Sequence, residues 1–284
     1  MDLQDQEMDL QSYPDLKQSF LLFFILLLLM IIISVAFAMV ILIVMTKTGY
    51  DLRAYVWFRS ILLVISYSIP IGFVIWYGVR KKRKNDGANL LFSLKVPGSG
   101  VFVLMSISAI MIIIISDAIV SLIPMPDFIV DLFMEMFRES TIFTYALIVL
   151  IGPILEELLF RGIILDGLLG NLNPRKAILW SSFLFAFIHL NPWQFVYAFA
   201  LGGLMGWIYY RTFSILSCIY IHVFANLTAL ILNKIIISQN LEYMTSIDIL
   251  GNVRNYVLLL VTCAIILYIS IRALKKMLPH KFEK

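Results

Sequence analysis

Three short patterns in this chain put reactive side chains at helical spacing inside otherwise apolar runs. The segment Gly152-Pro153-Ile154-Leu155-Glu156-Glu157-Leu158-Leu159-Phe160-Arg161-Gly162 carries two adjacent carboxylates and a guanidinium, and Phe185-x-x-x-His189 and His222-x-x-x-Asn226 follow it. Neighbouring residues on a helix point about 100° apart, so Glu156 and Glu157 cannot serve one purpose from one face. Glu157 and Arg161 are spaced i, i+4, which lets the guanidinium reach back one turn and neutralise that carboxylate. Glu156 is left without a local partner, and a desolvated, unpaired carboxyl group suits a general base or acid. His222 and Asn226 share a helix face and can both donate hydrogen bonds, as an oxyanion formed from a peptide carbonyl requires. Phe185 can pack beside His189 and fix its imidazole. A plainer reading stands beside this one: both glutamates would only bind helices together through Arg161, and a membrane histidine is about as often an interhelical hydrogen-bonding group as a catalytic one.

An ionisable side chain inside a membrane span costs about 2.5–3.5 kcal/mol on insertion, so each is by default a candidate site. Asp117 and Asp166 are the remaining candidates, whereas His280 lies outside the spans in a basic tail. Gly152-Pro153 is expected to break its helix and open room beside the glutamates for a peptide or water.

The elements that must hold these groups are membrane helices. The chain has 284 residues, 61% apolar and 14% charged, with a mean hydropathy of +0.94. A soluble domain is about 45–50% apolar and about 25% charged, which excludes one here. The apolar runs are unbroken, whereas a membrane barrel needs strands that alternate over about ten residues. Spans of about 20 residues are predicted at about 19–45, 57–79, 98–123, 140–164, 177–190, 194–210, 213–233 and 254–272. The fold class is therefore all-α, a polytopic transmembrane bundle of about eight helices. The fifth and sixth spans are short and separated only by Asn191, Pro192 and Trp193, which also fits a half-buried hairpin and leaves the count open by one or two.

No internal repeat or low-complexity linker divides the chain. It reads as an N-terminal segment (1–18), a first group of helices (19–139), a catalytic core (140–233), and a last helix with a basic tail (234–284). Cys218 and Cys263 lie in apolar stretches, make no metal-type spacing, and imply neither a disulfide framework nor a redox site. The stretch Phe20 to Met45 exceeds the roughly 7–15 residues of a signal-peptide core and follows an acidic segment, Asp2 to Asp15, so it is expected to remain as a spanning helix. The net charge is +4, but the basic residues gather at helix ends, which points to topology and lipid headgroups rather than nucleic acid. With the N-terminus inside, Lys17, Arg80, Lys81, Lys82, Arg83, Lys84, Lys95, Arg175, Lys176, Arg211, Arg272, Lys275, Lys276, Lys281 and Lys284 fall on the cytoplasmic side. Lys47, Arg53, Arg59, Arg138, Lys234 and Arg254 fall outside, fifteen against six, with Arg161 inside a span. Both termini are predicted to be cytoplasmic, in a multi-pass protein of the plasma membrane.

Taken in order on three membrane segments, Glu156-Glu157-x-x-x-Arg161, Phe185-x-x-x-His189 and His222-x-x-x-Asn226 resemble the signature of the CPBP family, the CAAX-processing endopeptidases of the Rce1 type and bacteriocin-processing relatives often labelled Abi. The resemblance covers about residues 140–230 with all three motifs intact. It implies hydrolysis of a peptide bond within the membrane, in a prenylated CAAX protein, a bacteriocin or another peptide. Glu156, oriented with His189, would activate a water; His222 and Asn226 would stabilise the oxyanion; Glu157 and Arg161 would hold the helix and its charges in place. The family is commonly called a metalloprotease group, and the same residues are also read as a metal-free glutamate protease. Glu156, His189 and His222 could supply the three protein ligands of a catalytic zinc, nothing resembles an HExxH helix, and the cofactor question stays open.

Two other classes share some of these features. A non-catalytic scaffold or bacteriocin immunity protein would use the same fold without needing every polar group. A secondary transporter would also bury carboxylates and histidines, but usually with repeat symmetry and broken helices in both halves; this sequence has neither symmetry nor a second Glu or His cluster.

Overall fold

A computed structural model describes residues 12–86, 97–138, 140–241 and 244–278. Lys95, His280, Lys281, Lys284 and most of the acidic N-terminal segment lie outside the described residues. Among the described residues there are ten helices and no strand. They are α1 (Leu16–Thr48), α2 (Val56–Asp86), α3 (Ser99–Val120), α4 (Asp127–Arg138), α5 (Ile142–Asn171), α6 (Pro174–Phe187), α7 (Pro192–Thr212), α8 (Ile215–Ser238), α9 (Ser246–Leu250) and α10 (Val253–Met277). Each of the eight predicted spans is helical, and the short α4 and α9 are additions that apolar length alone did not signal.

Six of these helices, α1, α2, α3, α5, α8 and α10, are long and apolar enough to cross a membrane. At about 1.5 Å per residue, the 14 residues of α6 reach only about 21 Å, short of the roughly 30 Å hydrocarbon layer. α6 and α7 instead form a closely packed hairpin. Gly202 and Gly206, one turn apart on α7, permit that contact: a Cβ on Gly202 would stand 3.2 Å from Phe185 and Ser182, and one on Gly206 would stand 3.1 Å from Ile178. Small residues at i, i+4 are a common way for membrane helices to bring their backbones together.

Polar caps set the helix ends. Asp15 and Gln18 form a reciprocal capping box at the start of α1, and Asn173 and Asn191 cap α6 and α7, each just before a proline at the first helical position. Pro192 also disfavours helical backbone at Asn191. α6 stops at Phe187, and His189 lies in the turn beyond it rather than within the helix.

α5 is the central element, touched by α2, α6, α7 and α8, and Leu159, Phe160, Ile163, Ile164 and Leu165 on it are fully buried. The break expected at Gly152-Pro153 does not occur. The helix continues, but through π-helical turns at Leu147–Ile151 and Phe160–Leu165 on either side of the α-helical Gly152–Leu159. The first π turn directs the Gly152 N–H to the Leu147 carbonyl, which accommodates the proline without ending the helix. The glutamates thus sit on one regular stretch between two wide ones.

Polar contacts gather the helix ends into two groups. At one end Lys82 forms an ion pair with Asp166 (2.9 Å) and donates to the Tyr13 carbonyl (3.0 Å). There too Tyr209 donates to Asp166 (2.9 Å), and Arg211 donates to the carbonyls of Leu278 (2.6 Å) and Lys275 (2.9 Å). At the opposite end Asp117 accepts from Tyr197 (3.2 Å), Ser246 (2.5 Å) and Tyr256 (3.3 Å), and Trp193 donates to the Ile123 carbonyl (3.1 Å). Asp117 and Asp166 therefore tie helix ends together, away from the glutamates. Lys82, counted above among the cytoplasmic topology charges, is buried.

Candidate active site

Glu156 and Glu157 are both buried on the regular turn of α5. Glu157 Oε1 accepts from Arg161 Nη1 at 2.8 Å, the i, i+4 pair read in the sequence, with both side chains fully buried. Arg161 has further work: Nη2 donates to the Gly202 carbonyl at 3.2 Å, and the guanidinium lies 4.3 Å from the centre of the Phe185 ring. A planar cation that pairs with a carboxylate and stacks on an aromatic face is a task a lysine performs poorly.

His222 joins the two carboxylates. Its Nδ1 lies 2.8 Å from Glu157 Oε1, and its Nε2 lies 3.7 Å from Glu156 Oε2. An ionised carboxylate only accepts hydrogen bonds, so pairing with Glu157 assigns the proton to Nδ1 and leaves Nε2 directed at Glu156. His222 stands two turns into α8, on its buried face. Phe185 meets both imidazoles edge to face, His189 at 5.6 Å and His222 at 5.3 Å between ring centres. The spacing of Phe185 and His189 predicts that contact. His189 is half-buried in the α6–α7 turn, with its ring against Phe185.

Asn226 also has a partner on α5. Its amide donates to the Ile148 carbonyl at 2.8 Å. An amide carries two hydrogens, and this bond uses one.

Glu156 has a partner that sequence spacing does not reveal. The Tyr67 hydroxyl, on α2, donates to Glu156 Oε1, whereas the buried Oε2 accepts no hydrogen bond from any described residue. Tyr67 stands 89 positions from Glu156. The available signal was the hydroxyl-rich Ser66-Tyr67-Ser68 inside an apolar span, one turn before Pro70.

Zinc would need three ligands from the chain, and Glu156, His189 and His222 do not close into such a set. Among the described residues no three His, Cys, Asp or Glu side chains stand as a metal-holding group. Cys218 and Cys263 are both free and buried.

Residues 138–228 match the family model for Type II CAAX prenyl endopeptidase Rce1-like proteins. That segment is Rce1-like. No curated protein and no solved structure matches the chain. The Rce1-like segment runs through α5, α6, α7 and most of α8, and it contains Glu156, Glu157, Arg161, Phe185, His189, His222 and Asn226. Its family is one of CAAX-type membrane proteases, so the class it supports for this chain is protease acting on a membrane-associated peptide. With six membrane-length apolar helices, the protein is an integral membrane protein.

Proposed function

We propose that the chain is an intramembrane endopeptidase that hydrolyses a peptide bond in a prenylated or otherwise membrane-associated peptide, with Glu156 as the general base. One observation carries this reading: Glu156 Oε2 is buried, accepts no hydrogen bond from a described residue, and faces His222 Nε2 across 3.7 Å. A water lodged against both atoms is within hydrogen-bonding reach of each. Glu156, oriented with His189, takes a proton from that water as its oxygen attacks the scissile carbonyl carbon. The resulting oxyanion is met by His222, whose ring carries a proton on both nitrogens before the attack and keeps both through it, and by the second amide hydrogen of Asn226. The C–N bond then breaks, the proton held by Glu156 passes to the leaving nitrogen, and a carboxylate and an amine depart. Glu157 and Arg161 hold His222 and the α5 turn in register.

An internally quenched farnesylated peptide ending in a CAAX sequence, presented to the purified protein in detergent micelles, tests the reading. Glu156→Gln, His189→Ala and His222→Ala are each expected to lower kcat by roughly a hundredfold or more, with the folded protein still recovered from membranes. Near-normal turnover in two of the three would favour a non-catalytic scaffold.

A further inference from the structure

We propose that Tyr67 is a positioning residue of this site, holding Glu156 by Oε1 so that Oε2 alone is presented to the reacting water. The inference rests on the reading of Glu156 as the base, and adds to it a residue from outside the Rce1-like segment.

A carboxyl group rotates broadly about its last torsion, so two equivalent oxygens would compete for one water. Tyr67 removes that equivalence by donating its hydroxyl to Oε1. The face of α2 that does this is fixed against α5 along its length. Ser60, Tyr67, Ile71, Val74 and Gly78 recur at helical spacing, and Ile71 and Val74 are almost fully buried. Two turns before Tyr67, Thr144 Oγ1 donates to Ser60 Oγ at 3.1 Å. Three turns after it, Gly78 admits Ile163 so closely that a Cβ there would lie 3.1 Å away. The phenol is thus held from both directions at the level of Glu156. Apolar packing on this face would be served equally by phenylalanine; only the hydroxyl addresses the carboxylate.

The test uses the full-length protein and the quenched farnesylated CAAX peptide. Tyr67→Phe is expected to lower kcat roughly ten- to hundredfold, as loss of a hydrogen bond to a charged group does, with KM unchanged. Ser60→Ala, which removes another side-chain bond between the same two helices, is expected to keep the wild-type kcat. In a Glu156→Gln background, Tyr67→Phe should cause no further loss, because its effect passes through that carboxylate. Wild-type kcat in Tyr67→Phe, or an equal fall in Tyr67→Phe and Ser60→Ala, would overturn the positioning role and leave Glu156 as the base. Undiminished cleavage by Glu156→Gln would overturn the reading of the base, and the inference with it.

Discussion

The amide of Asn226 donates to the carbonyl of Ile148 at 2.8 Å, a carbonyl that its own helix does not serve. In an α-helix that oxygen accepts from residue 152, and in a π turn from residue 153. The Gly152 N–H is given to Leu147, and Pro153 has none to give. Asn226 therefore joins α8 to the first π turn of α5. Asn226→Ala is expected to destabilise the protein by about 1–3 kcal/mol, the cost of an unsatisfied half-buried acceptor, and to lower the unfolding temperature in detergent. Lost turnover with unaltered stability would assign Asn226 to the oxyanion alone.

Arg161→Ala is expected to be both destabilising and inactivating, because it strands the fully buried Glu157 carboxylate, a loss of about 3–5 kcal/mol. Adding Glu157→Gln removes the stranded charge, so the double variant should unfold at a higher temperature than the single one. Activity should not return with it, since Glu157 also holds His222 Nδ1. Equal melting temperatures for the two variants would show that the pair carries no such weight.

Local spacing made these contacts legible, and its reach is about one helical turn. Glu157 with Arg161 and Phe185 with His189 are i, i+4 pairs, and both form. The eight helices follow from apolar length. Tyr67 could not be read this way, because a contact across 89 positions depends on how two helices turn toward each other. The π turns were hidden for a related reason: each adds a residue to its turn and shifts the phase that an i, i+4 reading assumes. Lys82 in the run Arg80-Lys81-Lys82-Arg83-Lys84 looks like its neighbours in sequence and differs in facing Asp166 and the Tyr13 carbonyl.

Gly167→Ala should release the N-terminal segment. A Cβ at that position would lie 2.3 Å from the nitrogen and Cδ of Pro14, too close for either to remain. Amide hydrogen exchange at Ser12 and Tyr13 is expected to accelerate by about tenfold or more, while the α5–α8 amides keep their protection. Unaltered exchange at Ser12 and Tyr13 would mean that the segment accommodates the methyl group in place.

Single cysteines at Asn85 and Gln239, both exposed and at opposite ends of the bundle, test the membrane orientation in a background with Cys218 and Cys263 replaced. With the basic end of α2 in the cytoplasm, a membrane-impermeant maleimide applied to intact cells should label position 239 and spare position 85. The reverse pattern would place both termini outside.

The contacts of the N-terminal segment also impose an order on synthesis. Asn171 donates to the Ser12 carbonyl at 2.6 Å across 159 positions, and Lys82 finds Asp166 only once α5 exists. At about 5–20 residues per second, α1 and α2 wait in the bilayer for several seconds before Asp166 leaves the ribosome. During that interval the Lys82 ammonium is kept at the headgroup layer by its own flexible stem. Residues 12–14 are consequently among the last to settle, and they close over the helix that bears Glu156 only after it has been inserted.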